Sequence, residues 1–215
     1  MTIPGPKHWQ ALKIILRYLK HTKHLCLTFQ SMHSASIQSN LCGWMNPSTT
    51  LHGWTDSKWG RDVDDRKSTS GYVYTFVRGA IAWRLKKQAT ILLSSTEAEY
   101  VAATLAAKEG IWLKAILEEI NIAKEKPIEI YCDNQSCIKL AINPRMSDNI
   151  RHISFKHHFL RDLIEEKKIN LKFTPSTSMW ADFFTKSVPN HKHVQCCKNI
   201  GLLNFTNIED KDMEF

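Results

Sequence analysis

The hydrophobic pattern changes period in a fixed order between Leu51 and Thr174, and that order is the strongest constraint on what this chain can fold into. Three short runs of β-forming residues come first, His52 to Trp59, Gly71 to Val77 and Ala80 to Leu85, each bounded by turn residues. Arg78-Gly79 is the expected hairpin turn between the second and third runs. A long helix should follow from about Thr96 to Glu119, because Ser94-x-x-Glu97 and Thr96-x-x-Glu99 both have capping-box spacing. Ala98, Val101, Ala102, Leu105, Trp112, Leu113, Ile116 and Ile120 then form its apolar stripe. Pro127 resets the chain into a strand, Ile128 to Cys132, which meets Asp133 and turns into a helical stretch through Leu140. Ile153 to Lys167 reads as an amphipathic helix and Ile169 to Thr174 as a strand, with Ser178 capping a last helix through Ala181 and Phe184. Antiparallel strands followed by alternating helices and strands predict an α/β domain with a five-stranded mixed sheet, its later strands parallel through right-handed crossovers.

The flanks carry different patterns. Residues 1–50 combine a basic amphipathic helix with a linker: Trp9, Leu12, Ile15, Leu16 and Leu19 recur at helical spacing after Pro6, and the stretch from Ser31 to Thr50 is rich in Ser, Thr and Asn. Residues 51–190 are the expected catalytic-type domain, and residues 191–215 read as a tail. The tail holds His191, His193, Cys196 and Cys197, but adjacent cysteines rarely ligate one zinc ion together and no second pair stands nearby. The chain has 29 Lys and Arg against 21 Asp and Glu, a formal charge of +8 that favours a polyanionic partner. Its 215 residues contain no stretch near the roughly 20 apolar residues a membrane span needs, and the first 20 lack signal-peptide character. The expectation is an intracellular protein, cytoplasmic or nuclear, with no membrane partner.

Acids stand where a mixed sheet would gather them: Asp56 in the first run, Asp133 ending a later strand, Glu97 and Asp182 each in the first turn of a helix. Singly, each has a bland explanation, since acids favour helix starts and an Asp after a strand is a common cap. Together they would repel and raise one another's pKa unless cations compensate. Oxygen-only ligation suits two magnesium ions, with manganese as a substitute, rather than zinc.

GWTDSKWGRDVDDRKSTSGYVY, LLSSTEAEYVAATLAAKEGIWLKAIL, IYCDNQSC, RHISFKHHFLRDLIEE and MWADFFTK, in this order, resemble the ribonuclease H region of copia-type retrotransposon Pol polyproteins. PKHWQALKIILRYLKHTKHLCLTF is similar to the segment that ends the same polyprotein's reverse transcriptase. The resemblance implies a ribonuclease H-like fold and a two-metal endonuclease acting on the RNA strand of RNA/DNA hybrids. It also implies the reverse transcriptase region of the same polyprotein as a partner. Carried over motif by motif, it assigns catalysis and metal ligation to Asp56, Glu97, Asp133 and Asp182. Helical periodicity alone does not choose Glu97, because Glu97 and Glu99 flank the apolar stripe almost symmetrically. Many relatives carry a second acid two residues after the first Asp, where this chain has Lys58.

The same resemblance marks His152 as a candidate auxiliary histidine, and Asn134 and Gln135 as candidate contacts to the hybrid's minor groove. Helix capping is the competing role for Asn134. Arg66 and Lys67, with Lys86 and Lys87 near Arg84 and Trp83, are the basic clusters best placed for phosphate contacts. Because 2′-hydroxyls identify the RNA strand without reading bases, cleavage should be largely independent of sequence and leave a 5′-phosphate and a 3′-hydroxyl. A catalytically silent nucleic-acid-binding remnant of a transposon is the alternative.

Overall fold

Pro6 fits the first turn of a helix, where its missing N–H costs nothing, and it opens α1 (Pro6–Thr22). The computed structural model describes residues 5–29, 50–60, 65–122, 126–143 and 154–204, with the backbone alone at 154–157. The expected linker and His152 therefore lie outside the described residues. α1 buries none of its residues: Trp9, Ile15, Leu16 and Leu19 are all more than half exposed. A short strand, β1 (Leu25–Leu27), follows it.

The three expected β runs become β2 (His52–Lys58), β3 (Thr69–Phe76) and β4 (Gly79–Lys87), paired antiparallel in sequence. The hairpin turn is Val77-Arg78, one residue earlier than the sequence suggests, and both residues have positive φ, 49° and 63°. That matches the twist-compatible hairpin geometry usually supplied by Asn-Gly. Gly79 is used differently: a β-carbon there would lie 2.4 Å from the Phe29 ring, so its small size admits the amino-terminal segment against the hairpin.

Ser94 caps α2 (Ser95–Glu119), its hydroxyl accepting the Glu97 N–H at 3.2 Å. Thr96 therefore lies inside the helix and does not cap it. Ala102, Ala103, Ala106, Ala107 and Gly110 are buried on the sheet side, and their small size lets the Tyr74 hydroxyl donate to the Ala106 carbonyl at 2.6 Å. β5 (Ile128–Cys132), α3 (Gln135–Ile142), α4 (Ser154–Glu165) and β6 (Ile169–Phe173) complete the crossover pattern. The sheet order is β4-β3-β2-β5-β6, with β5 parallel to both β2 and β6. This is the five-stranded mixed α/β sheet expected from the sequence. One face packs with α2, α3 and α4 around a core that includes Tyr74, Tyr100, Ile130 and Leu160. No described helix is long and apolar enough to cross a membrane.

Two expectations for the carboxy-terminal part are corrected. Ser178 ends a 3-10 turn, Ser176–Ser178, and the next helix, α5 (Asp182–Thr185), has Ala181 at its cap with no side-chain bond. Met179, which follows the turn, is extended, so no helix starts at Ser178. The supposed tail is structured to residue 204: α6 (Asn190–Asn199) is followed by β7 (Leu202–Asn204), which pairs antiparallel with β1. Cys196, Cys197 and Ile200 are buried, and Ile200 joins Trp54, Val73, Ala80, Met179 and Ala181 in a second core on the opposite face of the sheet. Only three apolar anchors in a polar helix explain why its sequence reads as a tail.

Replacing Ile200 by Ala should cost about 2–4 kcal/mol, as expected for emptying a core position. Thermal or urea unfolding measures it, and an unchanged transition would mean that the segment packs on nothing.

Candidate active site

β2 and β5 pair in parallel with Trp54 opposite Tyr131, so two residues further along each strand Asp56 and Asp133 arrive side by side at the carboxyl ends. Ligands of α/β sheets gather at such ends. Asp182 opens α5, which settles over β3 because the residue opposite Asp56 there is Gly71. A β-carbon on Gly71 would come within 2.7 Å of the Thr185 methyl group, so any larger residue would push the helix and its acid away. Carboxylate oxygens of Asp56, Asp133 and Asp182 consequently lie within 4.8 Å of one another.

Asp56 and Asp182 are almost wholly buried, 1% and 0% exposed, while Asp133 is half-buried. Thr185 donates its hydroxyl to Asp56 Oδ2. The Lys186 ammonium stands 2.8 Å from Asp182 Oδ1 and 3.5 Å from Asp56 Oδ1. Lys192, from α6, pairs with the other Asp182 oxygen and also donates to the Ser176 carbonyl at 2.5 Å. The Ser176 hydroxyl donates to Asp133 Oδ2 at 2.8 Å. Burial pushes the Asp56 carboxyl up to about 6, against the opposing pull of Thr185 and Lys186. The Lys186 ammonium is raised above its ordinary range: burial works against the charge, and the Asp182 and Asp56 carboxylates outweigh it.

Of the two glutamates in the first turns of α2, Glu99 lies beside this group, sharing Asp133 with it, and the expected Glu97 does not. Glu97 turns back to its own helix start, where Oε2 accepts the Leu93 N–H at 3.0 Å, and it is half-buried and apart from the cluster. Glu99 is 6% exposed, accepts the Ser57 N–H at 3.1 Å through Oε1, and forms a second group within 4.8 Å with Cys132 and Asp133. Its Oε2 is buried without a hydrogen-bond partner. Burial first, with Asp56 and Asp133 close by, holds the Glu99 carboxyl well above the usual range. Ser94-x-x-Glu97 and Thr96-x-x-Glu99 have the same spacing, so the sequence did not separate the two glutamates; the structure does so by making Ser94 the cap.

The two groups share Asp133, and their donors are hard carboxylate oxygens with one thiol. The Cys132 thiol is pushed well above its ordinary range by its hydrogen bond with Cys137 and by burial, which keeps it protonated. An oxygen set with two buried carboxylate atoms that have no hydrogen-bond partner among the described residues, Glu99 Oε2 and Asp182 Oδ1, fits a magnesium- or manganese-type cation, which would satisfy them and offset the mutual repulsion. His193 lies 3.8 Å from the Cys197 sulfur, but no group of three or more metal-type donors forms there among the described residues.

The expected substrate contacts are dispersed. Asn134 caps α3, its side-chain oxygen accepting the Cys137 N–H at 2.9 Å, and Gln135 is exposed beside it. Arg66 is exposed, whereas Lys67 and Lys87 both approach Asp65, at 3.9 and 2.9 Å. Lys86 and Lys87 end β4, two strands or about 10 Å across the sheet from β2.

An α/β domain whose three antiparallel strands lead into two parallel ones, with acids converging at the strand ends, has the ribonuclease H-like fold. The Pol polyprotein of tobacco transposon TNT 1-94 is 38% identical over 199 residues, 93% of this chain and 14% of that protein. The Pol polyprotein of Arabidopsis thaliana transposon RE2 is 30% identical over 203 residues, 94% of this chain and 13% of that protein. These relatives are retrovirus-related Pol polyproteins of transposons, similar to this chain over nearly its whole length, and the chain spans about one seventh of the length of these curated relatives. Among solved structures, the N-terminal ribonuclease H domain of a Mycobacterium tuberculosis protein is similar at 12% identity. That likeness covers 70% of this chain and 98% of that one, with a TM-score of 0.48. No family model matches the chain.

Glu99→Gln keeps an acceptor for the Ser57 N–H and removes a buried charge. A carboxyl raised in the fold is neutral in both states at low pH, and ionising it costs stability as pH rises above the unfolded value of about 4. In metal-free protein the variant should therefore match wild type near pH 4 and exceed it by about 1–3 kcal/mol at pH 8. Glu97→Ala should instead lose about 1 kcal/mol of helix cap. Thermal unfolding across pH checks both, and the opposite assignment would exchange the two profiles.

Proposed function

We propose that this chain is the ribonuclease H segment of a transposon Pol polyprotein and hydrolyses the RNA strand of RNA/DNA hybrids with the help of divalent cations. The observation that carries this reading is the convergence of Asp56, Asp133 and Asp182, with Glu99 joined through Asp133, at the carboxyl ends of the parallel strands. These four acids would hold two magnesium ions, manganese substituting. When bound, such ions activate a water for in-line attack on the scissile phosphate and stabilise the departing 3′ oxygen.

The chain's own residues do the rest. Ser57 N–H and Ser176 hydroxyl fix the Glu99 and Asp133 carboxylates, as Thr185 does for Asp56, so the oxygens stay aimed at one point. The half-buried Asp133 is the cluster's open side and the side from which a backbone phosphate would approach. Gln135 and the free amide end of Asn134, next to Asp133 in sequence, are proposed to meet the minor groove, where 2′-hydroxyls distinguish RNA. Arg66, Lys67, Lys86 and Lys87 are proposed phosphate contacts. Residues 1–50, as the end of a reverse transcriptase region, and residues 51–204, as one nuclease domain, complete the proposal, with the carboxy-terminal helix included in the domain. Its place of action would be inside the cell, where such hybrids arise.

The test is cleavage of an RNA/DNA hybrid labelled on either strand, with magnesium and with a chelator. Wild type should cut only the RNA strand, at many positions, leaving 5′-phosphates. Asp133→Asn and Glu99→Gln should each lose about 100-fold or more, while Glu97→Ala stays within about threefold. Hybrid binding with no cleavage would favour the silent remnant, and a fully active Glu99→Gln would remove the acid from the mechanism.

A further inference from the structure

The acid cluster is not compensated evenly. At one end both Asp182 oxygens are taken by ammonium groups, Lys186 on Oδ1 and Lys192 on Oδ2, and Lys186 extends to Asp56. At the other end, among the described residues, Glu99 Oε2 is buried with no hydrogen-bond partner and Asp133 receives the Ser176 hydroxyl with no ion pair. Both lysines are partly shielded from water, with side chains 31% and 17% exposed, which strengthens their hold on Asp182. Lys192 is also held by position: it projects from α6, anchored through buried Cys196 and Cys197, and its ammonium has a second acceptor in the Ser176 carbonyl. It comes from the segment whose sequence reads as a tail.

We infer that Lys192, with Lys186, is a tethered counter-cation for Asp182, so that divalent ions bind in a fixed order: the first at the Glu99–Asp133 end, the second only by displacing Lys192. This rests on the reading of the four acids as metal ligands. Once all four carboxylates are ionised, as metal ligation requires, they exceed the two ammonium groups by two negative charges, which a single divalent ion balances. Asp182 Oδ1 also has no hydrogen bond but is ion-paired with Lys186, whereas Glu99 Oε2 has neither hydrogen bond nor ion pair among the described residues, so the first ion binds at the Glu99–Asp133 end without breaking an ion pair. A second ion at the Asp56–Asp182 end brings two more positive charges to a site already holding two ammonium groups, so an ion pair must open. Lys186 sits four residues from Asp182 in the chain and can follow it, whereas Lys192 has the Ser176 carbonyl as a place to remain once Asp182 is given up. The arrangement makes the carboxy-terminal helix a determinant of the second ion's affinity.

Titration calorimetry of the whole chain with manganese alone, without nucleic acid, reads this directly. Wild type should take up one ion tightly and a second at least about tenfold more weakly. In Lys192→Met the second affinity should rise by about tenfold, with the first nearly unchanged, and Lys192→Arg should behave as wild type. Metal-free Lys192→Met should also melt earlier than wild type and recover with manganese, since Asp182 loses a partner that the ion replaces. If the methionine variant does not fold, Lys192→Gln, which keeps a donor for Ser176, takes its place. Two equal affinities in wild type, or a second affinity unchanged or weakened in the neutral variants, would overturn the inference while leaving the metal centre intact. Absence of manganese binding in wild type and variants alike would overturn the metal centre as well.

Discussion

Parallel pairing of β2 with β5 forces two aspartates to neighbouring strand ends, and carboxylates that close are unfavourable unless something cationic lies between them. Much of the site follows from that constraint. The Asp56 carboxyl is raised by burial, Glu99 is raised too with an oxygen left without a hydrogen bond, and two lysines converge on Asp182. A fold optimised only for stability would not collect these groups in one place. The strain is tolerated because the sheet beneath is well packed, with Tyr74 and Ile130 fully enclosed against the α2 side.

The opposite face of the sheet does a different job. Gly71 permits α5 to lie directly on β3, and the aromatic stack of Trp54 with Trp180 at 3.9 Å anchors the loop that delivers Asp182. α6 and β7 then close over this layer, and β7 pairs with β1 from the far end of the chain. Thr28 N–H bonding to the Gly201 carbonyl at 2.8 Å, and Ala80 N–H to Ile200 at 2.8 Å, tie both flanks to the tip of the β3–β4 hairpin. The residues before and after the expected domain are thus part of its packing. The exception is α1, whose apolar stripe stays exposed apart from the edge contact of Tyr18 with His193.

Most secondary structure was legible because it depends on local physics. Period-2 runs bounded by turns gave β2 to β4, and the Ser94 cap with the alanine-rich stripe gave α2. Failures occurred where a residue served a distant partner. Gly79 resembles a turn glycine but makes room for Phe29, so the turn moves to Val77-Arg78. Cys196, Cys197 and Ile200 are too few to mark α6 as amphipathic, and they matter because Ile200 packs in one core with Met179 and Ala181 while the Cys196 thiol reaches the Met179 carbonyl. At the site, the motif SSTEAEY offers two glutamates two positions apart. The resemblance chose Glu97, although the cap geometry already occupied it.

The sequence by itself determined the order of strands and helices, the α/β class and the motifs that join the chain to transposon Pol polyproteins, since each is encoded in neighbouring residues. Tertiary structure alone decided that Glu99 rather than Glu97 meets Asp133, that two lysines pair with Asp182, and that Ile200, after the last helix, joins the second core. Those outcomes depend on which side chains are brought together from positions far apart in the chain, and on how deeply burial removes them from water. Neither quantity has a local signature.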